Sequence, residues 1–229
     1  MCVAGELEAR PDGRWLLRRG GRRFLLPADL ARRLRDGGDP DDLCGLLDAA
    51  SRRRRPRLRA TLLPARVVQT LADRLAPAAG WPALTAFAAA GLVLCCLAVA
   101  LPVQAGEAAP RYWPQALIAA ATVVLAAVVH ELGHAAALHR GGGRAGAIGA
   151  GLQWVVPVLW CDVTEAALLA RSDRLRVDLA GVAAQLPLGG SLLCAGRVWS
   201  RPELSWAGGA IVTAIVWNAL PFARTDAYW

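Results

Sequence analysis

Long uncharged runs separated by short polar loops dominate the second half of the chain. A membrane-spanning helix needs about 20 predominantly apolar residues to cross a hydrocarbon core of about 30 Å. Four segments are long and apolar enough for this, namely residues 81–103, 113–138, 177–196 and 204–222. The pattern therefore predicts a mainly α-helical membrane bundle with about four spans.

The first 75 residues have a different pattern, in which short apolar stretches are separated by polar turns. Residues 14–26, RWLLRRGGRRFLL, predict a β-hairpin around Gly20 and Gly21. Helices are predicted at about 28–36, at 40–49 and at 65–75, where apolar residues form one stripe. This order of elements predicts a small α+β, winged-helix-like domain over residues 1–75, followed by a membrane domain over residues 76–229.

One apolar stretch of the membrane half is too rich in glycine for an ordinary span. Residues 147–160, AIGAGLQWVVPVLW, are apolar but interrupted by two glycines and a proline. We interpret this stretch as a re-entrant or strand-forming element that can pair with an extended substrate.

Composition and charge support a membrane protein and orient it. The chain has 55% hydrophobic residues and a mean hydropathy of +0.36, above an ordinary soluble domain. All 26 basic residues are arginine, and 17 of them precede residue 75. Because arginine-rich loops stay on the cytoplasmic side, the N-terminus is expected there, and an even number of spans returns the C-terminus to the same side.

The arginine run at residues 52–59, RRRRPRLR, has two interpretations. It can bind nucleic acid, or it can fix membrane topology and contact anionic lipid. The lipid bilayer is the preferred partner, and no nucleic acid is expected, because neither interleaved aromatic residues nor a zinc finger accompanies the run. The six cysteines form no C-x-x-C pair, which argues against a disulfide framework or a thiolate zinc site.

The sequence HELGH places three ionisable side chains inside the second predicted span. Residues four apart on a helix differ by about 40° in direction, so His130 and His134 can share one metal ion. In H-E-x-x-H zinc proteases the histidines bind Zn²⁺ and the glutamate, here Glu131, acts as general base. Chance occurrence or two hydrogen-bonded core histidines is the alternative. Ionisable groups are costly in a membrane helix without a compensating partner, which favours the metal.

A third ligand is needed, and three carboxylates qualify by residue type: Asp162, Glu165 and Asp226. The predicted orientation places the two histidines in the last turns of a helix that runs inward. Asp226 follows another helix that runs inward, so it is expected at the same membrane depth.

HELGH near the end of a membrane helix, followed by Asn218, Pro221 and Asp226, resembles the site-2 protease family of intramembrane zinc metallopeptidases. The second motif of that family is N-x-x-P-x-x-x-x-D-G, in which Asp226 corresponds to the third zinc ligand. Between the two motifs come a glycine-rich turn, an apolar β-prone stretch, a proline, Asp-Val-Thr and Leu-Ala-Gly. This order is similar to a bacterial branch found with ribosomally made, post-translationally modified peptides.

The resemblance implies a multi-pass zinc endopeptidase of the bacterial inner membrane that cleaves a ribosomal precursor peptide near the cytoplasmic face. The N-terminal domain loosely resembles leader-peptide recognition domains and would deliver that peptide. Cleavage of a transmembrane signalling protein is the alternative within the same chemistry, and a non-catalytic membrane adaptor that binds peptides is the alternative from another class.

Other residues of the motifs have more modest predicted roles. Asn218 is expected to contact the substrate backbone or support the site, with a helix-packing amide as the alternative. Pro221 is expected to end its helix and position the following carboxylate. Asp162 is a candidate second-shell partner of a zinc-bound histidine, against the plainer interpretation of a loop carboxylate.

Overall fold

A computed structural model describes most of the second half of the chain and selected parts of the first. The described residues are 6–9, 15–19, 22–26, 31–32, 35, 59–102, 112–153, 156–163, 165–166 and 169–218. The chain divides into two compact units, Met1–Leu58 and Arg59–Trp229. Residues 59–75 belong to the second of these units, and the domain boundary expected near residue 75 stays a prediction.

The first unit contains a three-stranded antiparallel sheet. Strands β1 (Glu6–Ala9), β2 (Trp15–Arg19) and β3 (Arg22–Leu26) lie in the order β1-β2-β3. Trp15 pairs with Leu26 and Arg19 with Arg22, which confirms the predicted hairpin. Strand β1 was not predicted from the sequence.

Only part of the helical half of this unit can be compared with the prediction. Ala31 is helical and buried against Leu17, in agreement with the predicted helix at 28–36. The helix expected at 40–49 lies outside the described residues, and the winged-helix assignment stays a prediction.

The second unit is mainly helical. Its five described α-helices are α1 (Ala65–Leu75), α2 (Trp81–Ala100), α3 (Trp113–Arg140), α4 (Arg171–Val198) and α5 (Pro202–Asn218). Three of them, α2, α3 and α4, are long and apolar enough to cross a membrane. The described part of α5 is a 17-residue helix within the fourth predicted run, and its role as a span stays a prediction.

Helix α4 is the central helix of this unit and packs against α2, α3 and α5. Its first half contributes Val177 and Ala180 to a core shared with α1 and the end of α3. Its second half contributes Leu186 to a separate core with Ile211 and Ile215 of α5. Small residues at these contacts let the helix backbones approach closely, as is typical of membrane bundles.

Exposed aromatic side chains cluster near the helix ends. Tyr112 and Trp113 begin α3, and Trp199 and Trp206 flank the turn between α4 and α5. At the opposite ends, Trp81 begins α2 and Trp217 lies near the end of the described part of α5. Two such groups are typical of the membrane–water interfaces at either side of a bilayer.

A second antiparallel sheet joins distant parts of the unit. Strands β4 (Arg59–Leu63), β5 (Ile148–Gln153) and β6 (Val156–Cys161) lie in the order β4-β5-β6. The strand-forming interpretation of residues 147–160 is therefore confirmed. β4 was not predicted, because the arginine run at residues 52–59 that leads into it was interpreted as a juxtamembrane segment.

Candidate metal centre

The two histidines of HELGH lie next to each other on the buried face of α3. His130 and His134 are 4% and 5% exposed, and their ring centroids are 4.7 Å apart in an edge-to-face arrangement. Their Nε2 atoms are 3.0 Å apart. The predicted convergence of both imidazoles on one point is therefore present.

Helix α4 provides a hydrogen-bond acceptor for the other nitrogen of each ring. His130 Nδ1 lies 3.1 Å from Gln185 Oε1, and His134 Nδ1 lies 2.6 Å from the backbone oxygen of Val177. An oxygen of this kind accepts but does not donate, so each Nδ1 carries the proton in the neutral ring. In this tautomer each Nε2 has a lone pair, which is the form in which a neutral imidazole binds a metal ion.

Gly181 creates the space in front of these two nitrogens. Val177, Gly181 and Gln185 are spaced by four residues and so lie along one face of α4. A Cβ atom at position 181 would lie 2.8 Å from His130 Nε2 and would also crowd His134 Nε2. Such a cradle, lined by two imidazole nitrogens, fits a divalent metal that prefers nitrogen ligands, such as Zn²⁺.

Gly133, the glycine of HELGH, brings the two helices close enough for these contacts. A Cβ atom at this position would lie 2.7 Å from the backbone oxygen of Ala180 and 3.1 Å from the Cα of Gly181. Backbone therefore packs on backbone beside the histidines. This close approach requires glycine for space, although its φ angle is ordinary.

Glu131 lies near the end of β6. Burial raises the pKa of the Cys161 thiol, and the nearby carboxylates of Glu131 and Asp162 raise that pKa further. Cys161 is the last residue of β6, which packs against α3. The half-buried Glu131 therefore follows His130 directly on α3 and acts electrostatically on one end of the sheet.

The predicted third ligand, Asp226, lies outside the described residues, as does Pro221. Within the described part of the chain, no group of three or more His, Cys, Asp or Glu side chains is arranged to hold a metal ion. Asn218 is the last described residue of α5 and is half-buried. Its contact with substrate stays a prediction.

The role predicted for Asp162, as a hydrogen-bond partner of a zinc-bound histidine, stays a prediction. The backbone of the exposed Asp162 bonds to Gly146 and Ala147 in the loop before β5. Glu165 accepts a hydrogen bond of 3.1 Å from the backbone N–H of Arg144. Asp162 through its backbone and Glu165 through its carboxylate therefore bond to the segment before β5.

The sequence prediction missed Val177, Gly181 and Gln185 as parts of the site. Their spacing of four residues, with a glycine and an amide in an apolar run, is the signal that would have identified this face of α4. No protein-family model matches the chain, and no curated protein or solved structure matches it. The functional assignment therefore depends on the two histidines, Glu131 and the face of α4 that supports them.

Proposed function

We propose that the chain is a membrane-embedded zinc endopeptidase of the site-2 protease type. The observation that carries this proposal is the pair of buried Nε2 atoms 3.0 Å apart, with each Nδ1 already bonded to an oxygen of α4. Two imidazoles with this tautomer and this spacing can bind one metal ion through their Nε2 atoms. A shared metal ion explains the arrangement, and Glu131 supplies a base beside it.

Each residue of the site has a distinct role in the proposed reaction. His130 and His134 would hold Zn²⁺ together with Asp226, and Zn²⁺ would polarise the scissile carbonyl and make water acidic enough to lose a proton near neutral pH. The carboxylate of Glu131 accepts that proton from the attacking water. It then donates the proton to the nitrogen of the leaving amine, which completes peptide hydrolysis.

The sheet supports the proposal because it offers a means of holding an extended substrate. β5 is paired on both sides, whereas β6 pairs only with β5 among the described strands. β6 ends at Cys161, close to Glu131. A peptide added along β6 would expose its carbonyl groups to the metal, which a helical substrate would not do.

The preferred substrate is a ribosomal precursor peptide cut near the cytoplasmic face of the bacterial inner membrane. The edge strands of the first unit, β1 and β3, could bind a leader segment by strand addition. In this proposal α5 is the fourth span, and both termini are cytoplasmic. A transmembrane signalling protein is the alternative substrate.

Zinc content and peptide cleavage, measured together, test the proposal. The full-length protein in detergent is compared with Glu131→Gln and Asp226→Ala, and candidate precursor peptides encoded nearby serve as substrates. Glu203→Gln is the matched control, since Glu203 is a second glutamate with restricted access to solvent and lies at the opposite end of α4, in the first turn of α5.

We expect one zinc ion per chain in the wild type, and cleavage by the wild type and Glu203→Gln. Glu131→Gln should keep zinc but cleave at least about 100-fold more slowly, since general base catalysis contributes about 10²–10⁴-fold. Asp226→Ala should lose zinc. Equal cleavage by the wild type and Glu131→Gln would refute the enzyme, and zinc binding without any turnover would favour the adaptor.

A further inference from the structure

We propose that Gln185 is a positioning residue that fixes the tautomer of His130 and thereby sets the affinity of the site for zinc. This inference rests on the proposed function, because it concerns the same pair of histidines. The Gln185 side chain bonds to Nδ1 of His130, not to the Nε2 that would bind the metal. It acts through the hydrogen bond between Gln185 Oε1 and His130 Nδ1.

Because this hydrogen bond is buried, its loss would change the state of the His130 ring. Gln185 and His130 are both 4% exposed, so water cannot readily replace the amide oxygen as an acceptor. Without that acceptor, the proton of the neutral ring is free to move from Nδ1 to Nε2. A protonated Nε2 cannot bind a metal, and the ring also loses the contact that holds its plane.

The two histidines are supported by different kinds of acceptor. His134 Nδ1 bonds to a backbone oxygen of α4, which no side-chain substitution removes. His130 depends on a side chain, so its support can be changed while that of His134 is kept. A substitution of Gln185 can therefore change the zinc affinity of the site without removing a metal ligand.

A neutral amide at position 185 also affects His130 differently from a carboxylate. A carboxylate at this position would share the proton of His130 more strongly and increase the basicity of the ligand nitrogen. Zinc would then be held more tightly but would withdraw less electron density from substrate and water. With the neutral amide, zinc would keep more positive charge to polarise the substrate carbonyl and the water.

Zinc affinity measured by chelator competition tests the role of Gln185 in the full-length protein in detergent. Three variants change the acceptor in different ways: Gln185→Leu removes it, Gln185→Asn shortens it by one methylene, and Gln185→Glu keeps its reach and adds charge. Gln69→Leu is the matched control, because Gln69 also makes a hydrogen bond through its side-chain amide: its Nε2 donates to the backbone oxygen of Ala145 at 2.7 Å. Among the described contacts it makes no hydrogen bond to either histidine.

We expect Gln185→Leu and Gln185→Asn to weaken zinc binding by about 10–100-fold, the usual effect of losing such a partner. Gln185→Glu should bind zinc at least as tightly as the wild type while cleaving peptide more slowly, and Gln69→Leu should bind zinc normally. A role in packing alone predicts instead that Gln185→Glu weakens zinc binding as much as Gln185→Leu does, and that result would overturn the inference.

The wild type separates this inference from the function on which it rests. If the wild-type protein binds no zinc, the proposed function fails and the inference fails with it. If the wild type binds zinc and cleaves peptide but Gln185→Leu keeps the wild-type affinity, only the role of Gln185 is refuted. The melting temperature of each zinc-free variant identifies any variant that fails to fold. If Gln185→Leu fails to fold, the zinc affinity of Gln185→Glu still tests the role of Gln185.

Discussion

Gly181 is the residue on which the space at the metal centre depends. Its missing side chain leaves room directly in front of His130 Nε2 and His134 Nε2. The three atoms nearest to an added Cβ all belong to the two buried imidazole rings. Helix α3 therefore provides the two imidazole nitrogens, and helix α4 provides the space in front of them.

The substitution Gly181→Ala should abolish or greatly weaken zinc binding. Its Cβ would lie 2.8 Å from His130 Nε2, so the ring must turn away from the metal position. We expect at least about a tenfold loss of zinc affinity, by analogy with the loss of a ligand's supporting contact. Zinc content after dialysis against a chelator measures this directly.

The same substitution at Gly209 is the matched control. Gly209 lies in α5, and a Cβ atom added there meets no atom within 4 Å. Gly209→Ala should keep zinc binding, and it should stabilise the helix by roughly 0.5–1 kcal/mol. If Gly181→Ala also retained the wild-type affinity, the histidines would not converge on a metal in front of this glycine.

Sequence alone predicted much of the site at this scale, but not all. The positions of His130, Glu131 and His134 follow from helix geometry, because residues four apart always share a face. Gln185 and Val177 are 55 and 43 residues from the histidines they support. No local pattern encodes such pairings, since they depend on how α3 and α4 pack.

Among the secondary-structure elements, the sheet β4-β5-β6 connects the start of the second unit to the segment after the histidines. Thr61 pairs with Gly149, and Gly149 pairs with Trp160. At Gly149 the neighbouring strand and the Trp160 ring are so close that no side chain fits. The approximate positions of the long helices were predictable from the apolar runs, but this strand pairing was not, because its partners are distant in sequence.

Gly149→Ala should separate β4 from β5 while leaving the metal centre intact. The added Cβ would lie 2.5 Å from the backbone oxygen of Ala60, and overpacking of this kind costs about 1–3 kcal/mol. Hydrogen exchange of residues 59–63 should become about tenfold faster or more, with zinc content unchanged. Exchange that stays as slow as in Gly209→Ala would show that β4 does not depend on this contact.

On the scale of the whole molecule, two exposed positions distinguish the two ends of the helical bundle. The turn between α4 and α5 contains exposed Trp199 and Ser200, and lies at the end of the bundle away from the histidines. Helix α1, with exposed Thr70, packs against α3, and Arg140 at the end of α3 donates to the backbone oxygen of Ala76. These two positions therefore mark opposite ends of the bundle.

Cysteine labelling at these positions should reveal the proposed orientation. In a cysteine-free background, Ser200→Cys should react with a membrane-impermeant thiol reagent in intact cells from which the outer membrane has been removed. Thr70→Cys should react only after the inner membrane is opened, because arginine-rich segments stay in the cytoplasm. Labelling of both positions from outside would contradict a membrane-spanning bundle, and labelling of Thr70→Cys alone would reverse its orientation.

The amino-acid sequence by itself determined the helices of the second unit, the apolar runs of membrane length and the shared face of His130 and His134. These depend on the period of the helix and on the transfer of apolar residues from water, which are local properties. Tertiary structure alone decided that the chain divides at Leu58, that β4 joins β5, and that Gly181 and Gln185 complete the surroundings of the histidines. Those features arise from contacts between distant segments, whose energies depend on shape and hydrogen-bond direction rather than on neighbouring residues.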